Sequence, residues 1–217
     1  VNIEIERKTL TVPAIKQFYI NVAESQKTDV LTKILEAEST DEVSVLVFQR
    51  TKMGCDKLVD KLKARGYSVE AMHGDMNQNQ REAVIKQLKA GKVEIVVATD
   101  VAARGLDVDR IGIVINYDMP GDTESYVHRI GRTGRAGRTG KSILFVTPRQ
   151  IRMKRDIEQY TKQQMDPLKL PTQADIVERR VTSLKERIMS VLTDNDLELY
   201  LALVEDFAEE NGCDIAE

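Results

Sequence analysis

Short apolar runs alternate with helical patterns along most of this 217-residue chain, and the alternation limits the folds that it can adopt. Runs such as residues 43–48 are short and rich in β-branched residues, whereas segments such as 78–89 carry apolar residues at helical spacing. Strands that alternate with helices of this length favour a mostly parallel sheet with helices on both faces. The sequence therefore predicts an α/β domain over residues 15–165.

The same patterns give the individual elements. The predicted strands span residues 15–22, 43–48, 68–72, 93–98, 111–116 and 142–146. The predicted helices span residues 27–38, 52–65, 78–89, 101–104, 123–130 and 149–163. We expect the first strand to lie at an edge of the sheet and residues 1–14 to form a polar lead-in. Asn77 with Gln80 predicts a capping box at the start of the third helix.

Residues beyond 165 differ in character. Prolines at 167 and 171 break the helical pattern and predict a linker over residues 166–171. After it, apolar residues at steps of four and three form the seam typical of paired helices: Val177, Val181, Leu184, Ile188 and Val191. A turn at residues 193–196 and a second, largely apolar helix over 197–207 follow. The sequence therefore predicts a small all-α helical hairpin over residues 172–217.

Charge is distributed unevenly between these two parts. From Thr172 onward the chain carries 4 Lys and Arg against 12 Asp and Glu, a net charge of −8. The preceding residues carry 28 against 23, a net charge of +5, and the two parts together give the total of −3. The asymmetry indicates a domain boundary and makes the basic part the candidate for contact with a polyanion.

Composition and cysteine usage exclude several classes of protein. The chain is 41% hydrophobic and 31% charged, and no apolar run approaches the roughly 20 residues of a membrane span. Cys55 and Cys213 are far apart and have no ligand-type neighbours, so we expect neither a bound metal nor a disulfide. This cysteine usage fits a reducing compartment, so we expect a cytoplasmic protein. We also expect a fragment of a longer protein, because the chain begins with Val1 and not with an initiator Met.

The most unusual stretch is HRIGRTGR at residues 128–135, followed by AGRTGK at 136–141. Its arginines recur at a spacing of three, but the glycines would each cost about 1 kcal/mol inside a helix, so a helical face does not explain the pattern. Glycine permits close backbone approach and unusual dihedral angles, and arginine offers a fork of donors that matches phosphate oxygens. The stretch is therefore either a phosphate site or a solvated basic turn.

A second segment favours the phosphate site. Residues 98–108, ATDVAARGLDV, directly follow a predicted strand. Together the two segments resemble motifs V and VI of superfamily 2 helicases, and the complete HRIGRTGR string resembles that of DEAD-box RNA helicases. The resemblance implies a RecA-like domain, the second of the two that clamp ATP and RNA in these enzymes. We expect both motifs to lie beyond the carboxyl ends of the strands.

The resemblance also implies contacts with ATP and its Mg²⁺, which a missing N-terminal domain would share. Arg132 and Arg135 resemble the arginine fingers that reach the γ-phosphate. Asp107, with Gly105 in the same Gly-Leu-Asp segment, resembles the carboxylate that accepts from the ribose hydroxyls. We expect no cofactor to be held by this chain alone.

His128 and Arg129 resemble the residues that contact the first domain and couple the two sites. Catalysis by this chain alone is not expected. Residues 140–142 look like the end of a GxxxxGK[ST] phosphate loop, but Arg135 occupies the position of the first glycine, and the chain has no Asp-Glu-Ala-Asp string. A fragment with half of a helicase site should not hydrolyse ATP.

RNA contacts are implied for short pieces that match motif IV (VFQRT, residues 47–51), the QxxR segment (residues 78–81) and motif V. The residues are Gln49, Thr51, Gly74, Gln78, Arg81, Thr99 and Arg104. Gln78 begins a predicted helix, whose free amides favour phosphate. We assign His73, which precedes Gly74, to turn geometry rather than to RNA. All these contacts would go to phosphate and sugar, so we expect sequence-independent binding.

The helical tail resembles the dimerisation region of the bacterial cold-shock DEAD-box helicases. It implies a homodimer through residues 172–217, in a protein that remodels structured RNA in ribosome assembly or cold adaptation. Docking of the tail onto the RecA-like domain is the alternative to dimerisation. A non-catalytic RNA-binding module and half of a DNA helicase are the alternatives for the function.

Overall fold

The computed structural model of the chain describes residues 15–38, 43–135 and 138–170, together with scattered positions between 172 and 210. The chain divides into two units, Val1–Leu170 and Pro171–Glu217. The first unit contains every residue predicted to contact nucleotide or RNA, and the second contains the predicted hairpin.

The first unit is built on a seven-stranded sheet in which each described pairing is parallel. The strands are β1 (Ile15–Asn21), β2 (Ser44–Phe48), β3 (Val69–Met72), β4 (Ile95–Ala98), β5 (Ile111–Asn116), β6 (Gly140–Val146) and β7 (Asp166–Pro167). Their order across the sheet is β3-β4-β2-β5-β6-β1-β7. The predicted parallel α/β architecture is confirmed.

Helices connect the strands. They are α1 (Lys27–Glu38), α2 (Lys52–Lys63), α3 (Gln78–Lys89), α4 (Asp100–Ala103), α5 (Thr123–Ile130) and α6 (Ile151–Thr161), with 3-10 turns at Glu24–Gln26 and Pro148–Gln150. The capping box predicted at Asn77 and Gln80 is present. Asp122 caps α5 by accepting from the Ser125 N–H at 2.7 Å, and this bond lowers the pKa of the Asp122 carboxyl. The start of the helix that leads into the arginine stretch is therefore fixed.

The central strand β2 shows why helices cover both faces of the sheet. All of its residues are buried. Val45 and Val47 pack into a core with α1 and α2, whereas the alternate residues Leu46 and Phe48 pack into a second core with α3 and α4. A strand buried on both faces has no polar side to display, so it appears in the sequence as a continuous apolar run.

One edge of the sheet differs from the prediction. β1 is not the outermost strand, because β7 pairs with its residues Phe18 and Tyr19. The Leu168 N–H donates to the Tyr19 carbonyl at 2.8 Å, and Leu168 and Leu170 pack against the first core. The predicted linker is therefore wrong for residues 166–170. Proline ended the helical pattern but is compatible with an outer strand, where an N–H donor can be absent.

Parallel strands place the loops after strands and the loops after helices at opposite edges of the sheet. The residues that follow β2, β3 and β4 lie at the carboxyl edge, as predicted. The arginine stretch begins in the last turn of α5 and leads into β6, and Thr133 Oγ1 donates to the carbonyl of Ile111, the first residue of β5, at 2.8 Å. The prediction that both motifs lie beyond the carboxyl ends is therefore wrong for residues 131–135, because α5 returns the chain to the amino edge.

The tail is described only at scattered positions. Val181, Leu184 and Ile188, three of the five predicted seam residues, are helical and 46%, 59% and 50% exposed. The other two seam residues, the turn and most of the second predicted helix lie outside the described residues. None of the helices that the structure describes is long and apolar enough to cross a membrane.

Candidate functional site

Arginines at a spacing of three lie against the motif V segment, and this explains their regular recurrence. The contacts are Arg129 to Asp100, Arg132 to the Leu106 carbonyl at 3.1 Å, Arg135 to Asp107, and Arg138 to the Asp109 carbonyl at 3.4 Å. Both segments run from the carboxyl edge toward the amino edge, so successive arginines meet successive positions of motif V. We call these four residues, Arg129, Arg132, Arg135 and Arg138, the arginine row.

Arg129 is the buried member of the row, with 2% of its surface exposed. Its Nε and Nη2 donate to the two carboxylate oxygens of Asp100 at 2.6 and 2.8 Å. Its Nη1 donates to Asn116 Oδ1 at 3.2 Å and to the Asp118 carbonyl at 2.6 Å. The guanidinium also lies 4.9 Å from the centroid of the Phe48 ring. All three guanidinium nitrogens are thus bonded inside the domain.

The structure therefore places Arg129 inside its own domain, whereas the prediction had it contact another domain. A guanidinium that is almost fully buried could reach a neighbouring domain only by breaking the bonds that satisfy it. Arg129 instead ties α5 to motif V and to the end of β5. The side chain of His128 is 63% exposed, and its Nε2 lies 4.0 Å from the Glu124 carboxylate, so His128 is accessible to another domain.

Three of the predicted nucleotide contacts, Arg132, Arg135 and Asp107, lie close together: Arg135 pairs with Asp107, and Arg132 donates to the carbonyl of the adjacent Leu106. Arg132 Nε donates to the His128 carbonyl at 3.3 Å, and Arg135 Nε donates to the Gly131 carbonyl at 3.0 Å. Burial, and then the neighbouring charge of Arg135, lower the pKa of Arg132, although a guanidinium stays protonated in proteins. The cluster therefore combines two positive forks with one carboxylate acceptor.

Two glycines fix the loop that carries this cluster. Gly134 has a φ of +70°, and a Cβ there would lie 2.8 Å from Ile15 Cγ1. A Cβ on Gly140 would lie 2.6 Å from the Gly134 nitrogen and 2.7 Å from the Thr133 side chain. These glycines are needed for close packing of the loop against the starts of β1 and β6 rather than for approach to a ligand. Gly105, in contrast, has a φ of +74° and open space where its Cβ would be.

The predicted RNA contacts lie at the carboxyl edge, in or beside the segments that follow β2, β3 and β4. We call this set the carboxyl-edge surface; it consists of Gln49, Thr51, Gly74, Gln78, Arg81, Thr99 and Arg104. Gly74, Gln78 and Arg104 are exposed. Thr99 is partly buried, and its side chain does not cap the helix α4 that it precedes. Its hydroxyl is therefore not used by that helix.

Other members of the carboxyl-edge surface are held by bonds within the domain. Arg81 Nη2 donates to the Ala102 carbonyl at 2.9 Å and so ties α3 to the end of α4. Gln78 Nε2 donates to Glu82 Oε1 at 2.8 Å, and Thr51 caps the start of α2. An RNA strand would therefore meet polar groups that are already oriented.

His73 lies beside this surface. Its side chain is 13% exposed, and its Nε2 lies 2.9 Å from Asp56 Oδ1. This contact ties the end of β3 to α2, which agrees with the assignment of His73 to turn geometry.

The sequence did not reveal a buried ion pair that lies near both the arginine row and the carboxyl-edge surface. Lys27 is 1% exposed, and its Nζ lies 2.9 Å from Asp118 Oδ1 and 3.0 Å from Glu24 Oε2. In the sequence, Lys27 resembles any charged residue at a helix start, and Asp118 resembles a turn residue. The available signal was the position of Asp118 just after a buried strand, where ligand-binding groups of parallel sheets collect.

The parallel RecA-like sheet, the arginine row against motif V and the polar carboxyl edge define the C-terminal RecA-like domain of a helicase. Family comparison agrees: residues 26–137 match the helicase conserved C-terminal domain, and residues 171–217 match the RNA helicase DeaD dimerization domain. The chain belongs to the helicase C-terminal domain family, in its DEAD-box branch. The resemblance to DEAD-box helicases of the cold-shock type is confirmed.

Curated relatives of the chain are named as DEAD-box or DeaD RNA helicases. The DEAD-box ATP-dependent RNA helicase CshA of Bacillus anthracis is 44% identical over 210 residues, which cover 97% of this chain and 39% of that protein. The ATP-dependent RNA helicase DeaD of Mycobacterium tuberculosis is 45% identical over 210 residues, which cover 97% of this chain and 37% of that protein. The chain therefore spans less than half the length of these relatives.

Solved structures place the likeness in one domain. The C-terminal domain of the DEAD-box protein Dbp5 is 34% identical, with a TM-score of 0.67, and the match covers 78% of this chain and 98% of that chain. A DEAD box protein from the hyperthermophile Methanococcus jannaschii is 42% identical, with a TM-score of 0.66, over 72% of this chain and 42% of that chain. The similarity is therefore to the C-terminal half of such proteins.

We expect Arg129→Ala to destabilise the sheet domain by about 3–5 kcal/mol, because it leaves the partners of a buried guanidinium without a donor. Arg138→Ala is the matched control: it removes an exposed member of the same row and should cost less than about 0.5 kcal/mol. Urea unfolding of the whole chain, followed by circular dichroism, measures both. Similar losses for the two variants would contradict the anchoring role of Arg129.

Proposed function

We propose that this chain is the second half of an ATP-dependent DEAD-box RNA helicase. It binds RNA along the carboxyl-edge surface and supplies arginine fingers to ATP held by an N-terminal RecA-like domain. One observation carries the proposal: Arg135 pairs with Asp107, 28 residues away in the sequence, and Arg132 donates to the carbonyl of Leu106 beside it, so two arginines and one carboxylate lie together.

The cluster suits a nucleoside triphosphate. Guanidinium forks match phosphate oxygens, and the Asp107 carboxylate, whose side chain is 75% exposed, can accept from ribose hydroxyls. When bound, ATP supplies the phosphoryl group that passes to water. Arg132 and Arg135 would neutralise charge on that group, an effect of about 10³–10⁵ in rate for an arginine finger. In this role Arg135 exchanges Asp107 for a phosphate oxygen.

Other parts of the ATP site belong, in this proposal, to the partner domain. The sequence contains no GxxxxGK[ST] loop, so the N-terminal domain would cradle the phosphates and hold Mg²⁺. His128, which is exposed on α5, is the candidate for contact with that domain. Closure of the two domains would complete the site.

The carboxyl-edge surface supports binding to the RNA backbone. The hydroxyl of Thr99, the amides at the start of α3 beside Gln78, and the side chain of Arg104 are groups that commonly bind phosphate and sugar. We therefore propose sequence-independent binding. The whole protein would remodel structured RNA in the cytoplasm, during ribosome assembly or adaptation to cold.

In the enzyme completed by its N-terminal domain, Arg135→Ala should lower kcat for RNA-stimulated ATP hydrolysis by about 10³ and leave ATP affinity nearly unchanged. Arg135→Lys should recover little of this activity, because an ammonium lacks the planar fork. Arg138→Ala, at the outer end of the same row, is the control. Phosphate release measures all three. Hydrolysis by Arg135→Ala within a few-fold of wild type would remove the residue from the site. Turnover by the 217-residue chain alone would contradict the expectation that hydrolysis needs the N-terminal domain.

Arg81→Ala should weaken RNA binding equally for unrelated sequences and lower the salt slope by about 0.7, the value for one single-strand phosphate contact. Fluorescence anisotropy over a series of KCl concentrations, with two labelled RNAs of different sequence, measures both effects. Arg65→Ala is the control, because that exposed arginine pairs with Asp29 at 2.8 Å, away from the carboxyl-edge surface. A loss that depends strongly on sequence would indicate base readout instead.

We also propose that the chain forms a homodimer through residues 172–217. A segment of this size rarely folds without cross-links or association, and Val181, Leu184 and Ile188 are about half exposed in the single chain. Two hairpins related by a two-fold axis would bury such residues in a four-helix arrangement. The net charge of −8 makes the tail unsuited to lie on RNA.

Leu184→Glu should dissociate the dimer without unfolding the sheet domain, because it places a charge on the seam. A chain that ends at Leu170, which keeps β7 on the sheet, should be a soluble monomer. Lys185→Glu, next to the seam position, is the control and should remain dimeric. Multi-angle light scattering at micromolar concentrations measures the mass. A monomeric wild type, or a dimeric truncated chain, would place any interface elsewhere.

A further inference from the structure

Lys27 is buried with 1% of its surface exposed, and the proposed function gives it no role. Its Nζ lies 2.9 Å from Asp118 Oδ1, 3.0 Å from Glu24 Oε2 and 5.3 Å from the centroid of the Tyr117 ring. Lysine is almost never buried without a partner, and an apolar side chain of similar volume often stabilises such a position at least as well. The ammonium therefore calls for an explanation beyond packing.

Asp118, the partner of Lys27, connects the carboxyl-edge surface with the arginine row. The Oδ2 atom of Asp118 accepts from the Arg50 N–H at 3.0 Å, and its backbone N–H donates to the Phe48 carbonyl at 3.1 Å. The backbone carbonyl of Asp118 accepts from Arg129 Nη1 at 2.6 Å. The Arg50 N–H also lies 2.8 Å from Oε1 of Gln49, a member of the carboxyl-edge surface. Asp118 thus holds the loop of motif IV by its carboxylate and the arginine row by its backbone.

We infer that Lys27, acting through Asp118, is a positioning residue for RNA binding. The ammonium holds Oδ1 of Asp118, so that Oδ2 stays turned toward the Arg50 N–H, and that bond sets the loop of residues 49–51 on the carboxyl-edge surface. This inference rests on the proposed function, since it concerns how that surface holds RNA.

The contacts of Asp118 indicate that Lys27 affects RNA binding and not ATP hydrolysis. Arg129 bonds the carbonyl of Asp118 rather than its carboxylate, and it retains the bidentate pair with Asp100. Loss of the Lys27 ammonium should therefore release the motif IV loop while the arginine row keeps its place. The effect should fall on RNA affinity and not on the rate at saturating RNA.

The chain offers a matched control in Lys154. Its Nζ lies 2.8 Å from Glu158 Oε1 and 4.0 Å from the centroid of the Tyr19 ring, and both side chains of the ion pair are 16% exposed. This lysine combines an ion pair with a ring contact, as Lys27 does, but it lies on α6, and its partners Glu158 and Tyr19 belong neither to the carboxyl-edge surface nor to the arginine row. Lys154→Met therefore reports the cost of losing such contacts without moving motif IV.

Two measurements test the inference. Anisotropy with a fluorescein-labelled single-stranded RNA gives the Kd of the 217-residue chain, and phosphate release by the completed enzyme gives kcat and the RNA concentration for half-maximal stimulation. Lys27→Met should raise both the Kd and the half-maximal RNA concentration about tenfold, the usual effect of losing one charge-assisted hydrogen bond. The value of kcat at saturating RNA should stay within about twofold. Lys154→Met should shift none of these quantities.

Further variants cover the case in which Lys27→Met does not fold. Asp118→Asn beside an intact Lys27 should turn its amide oxygen to the ammonium and its NH₂ group to the Arg50 N–H, and it should weaken RNA binding by the same factor. Lys27→Met with Asp118→Asn should recover most of the affinity, because the amide oxygen is then free to accept from Arg50. If Lys27 and Asp118 only stabilise the fold, the single variants should lose thermal stability and the double variant should regain it. The RNA Kd should then be unchanged in all three variants.

The outcomes separate the inference from the proposed function. If the wild-type enzyme neither binds RNA nor shows RNA-stimulated hydrolysis, the proposed function fails and the inference fails with it. If the wild type does both, but the variants at Lys27 and Asp118 bind RNA like wild type or like Lys154→Met, only the inference is overturned.

Discussion

The bidentate pair between Arg129 and Asp100 is the interaction on which the arrangement of the site depends. Helix α4 has four residues and α5 has eight, and helices this short are not stable by themselves. Arg129 is buried and the Asp100 side chain is 41% exposed, and the pair fixes the two helices to each other. The rest of the arginine row follows from that register. An ion pair adds little stability compared with apolar packing, so its contribution here is to specify one geometry.

Parallel strand direction separates the two surfaces that a helicase must couple. The carboxyl-edge surface follows β2, β3 and β4, whereas the loop with Arg132 and Arg135 precedes β6 at the opposite edge. Asp118, just after β5, connects the two surfaces, because it accepts hydrogen bonds from both the Arg50 N–H and Arg129. Polar groups in a low-dielectric interior tolerate few alternative arrangements, so this connection is stiffer than apolar contacts would be.

Local patterns were enough to predict most of the fold but not the contacts between distant segments. Apolar runs, caps and glycine stops gave the strands and helices to within a few residues, because each depends on neighbours in the sequence. The position of the arginine stretch at the amino edge was missed, since a motif does not indicate which end of a strand it meets. Arg129 and Arg132 are the same residue type three positions apart, and only the fold shows that the first is buried and the second partly exposed. Lys27 and Asp118 are 91 residues apart, beyond the reach of any spacing rule.

Burial along the arginine row changes in the direction that its proposed roles require. Arg129 is 2% exposed with all three guanidinium nitrogens bonded, whereas the Arg135 side chain is 27% exposed and its partner Asp107 is 75% exposed. An ion pair open to solvent contributes about 0–1 kcal/mol, so Arg135 can leave Asp107 for a phosphate oxygen at little cost. Breaking the Arg129 pair would cost several times more. One repeated residue type thus provides a fixed anchor at one end of the row and an exchangeable ligand-binding group further along it.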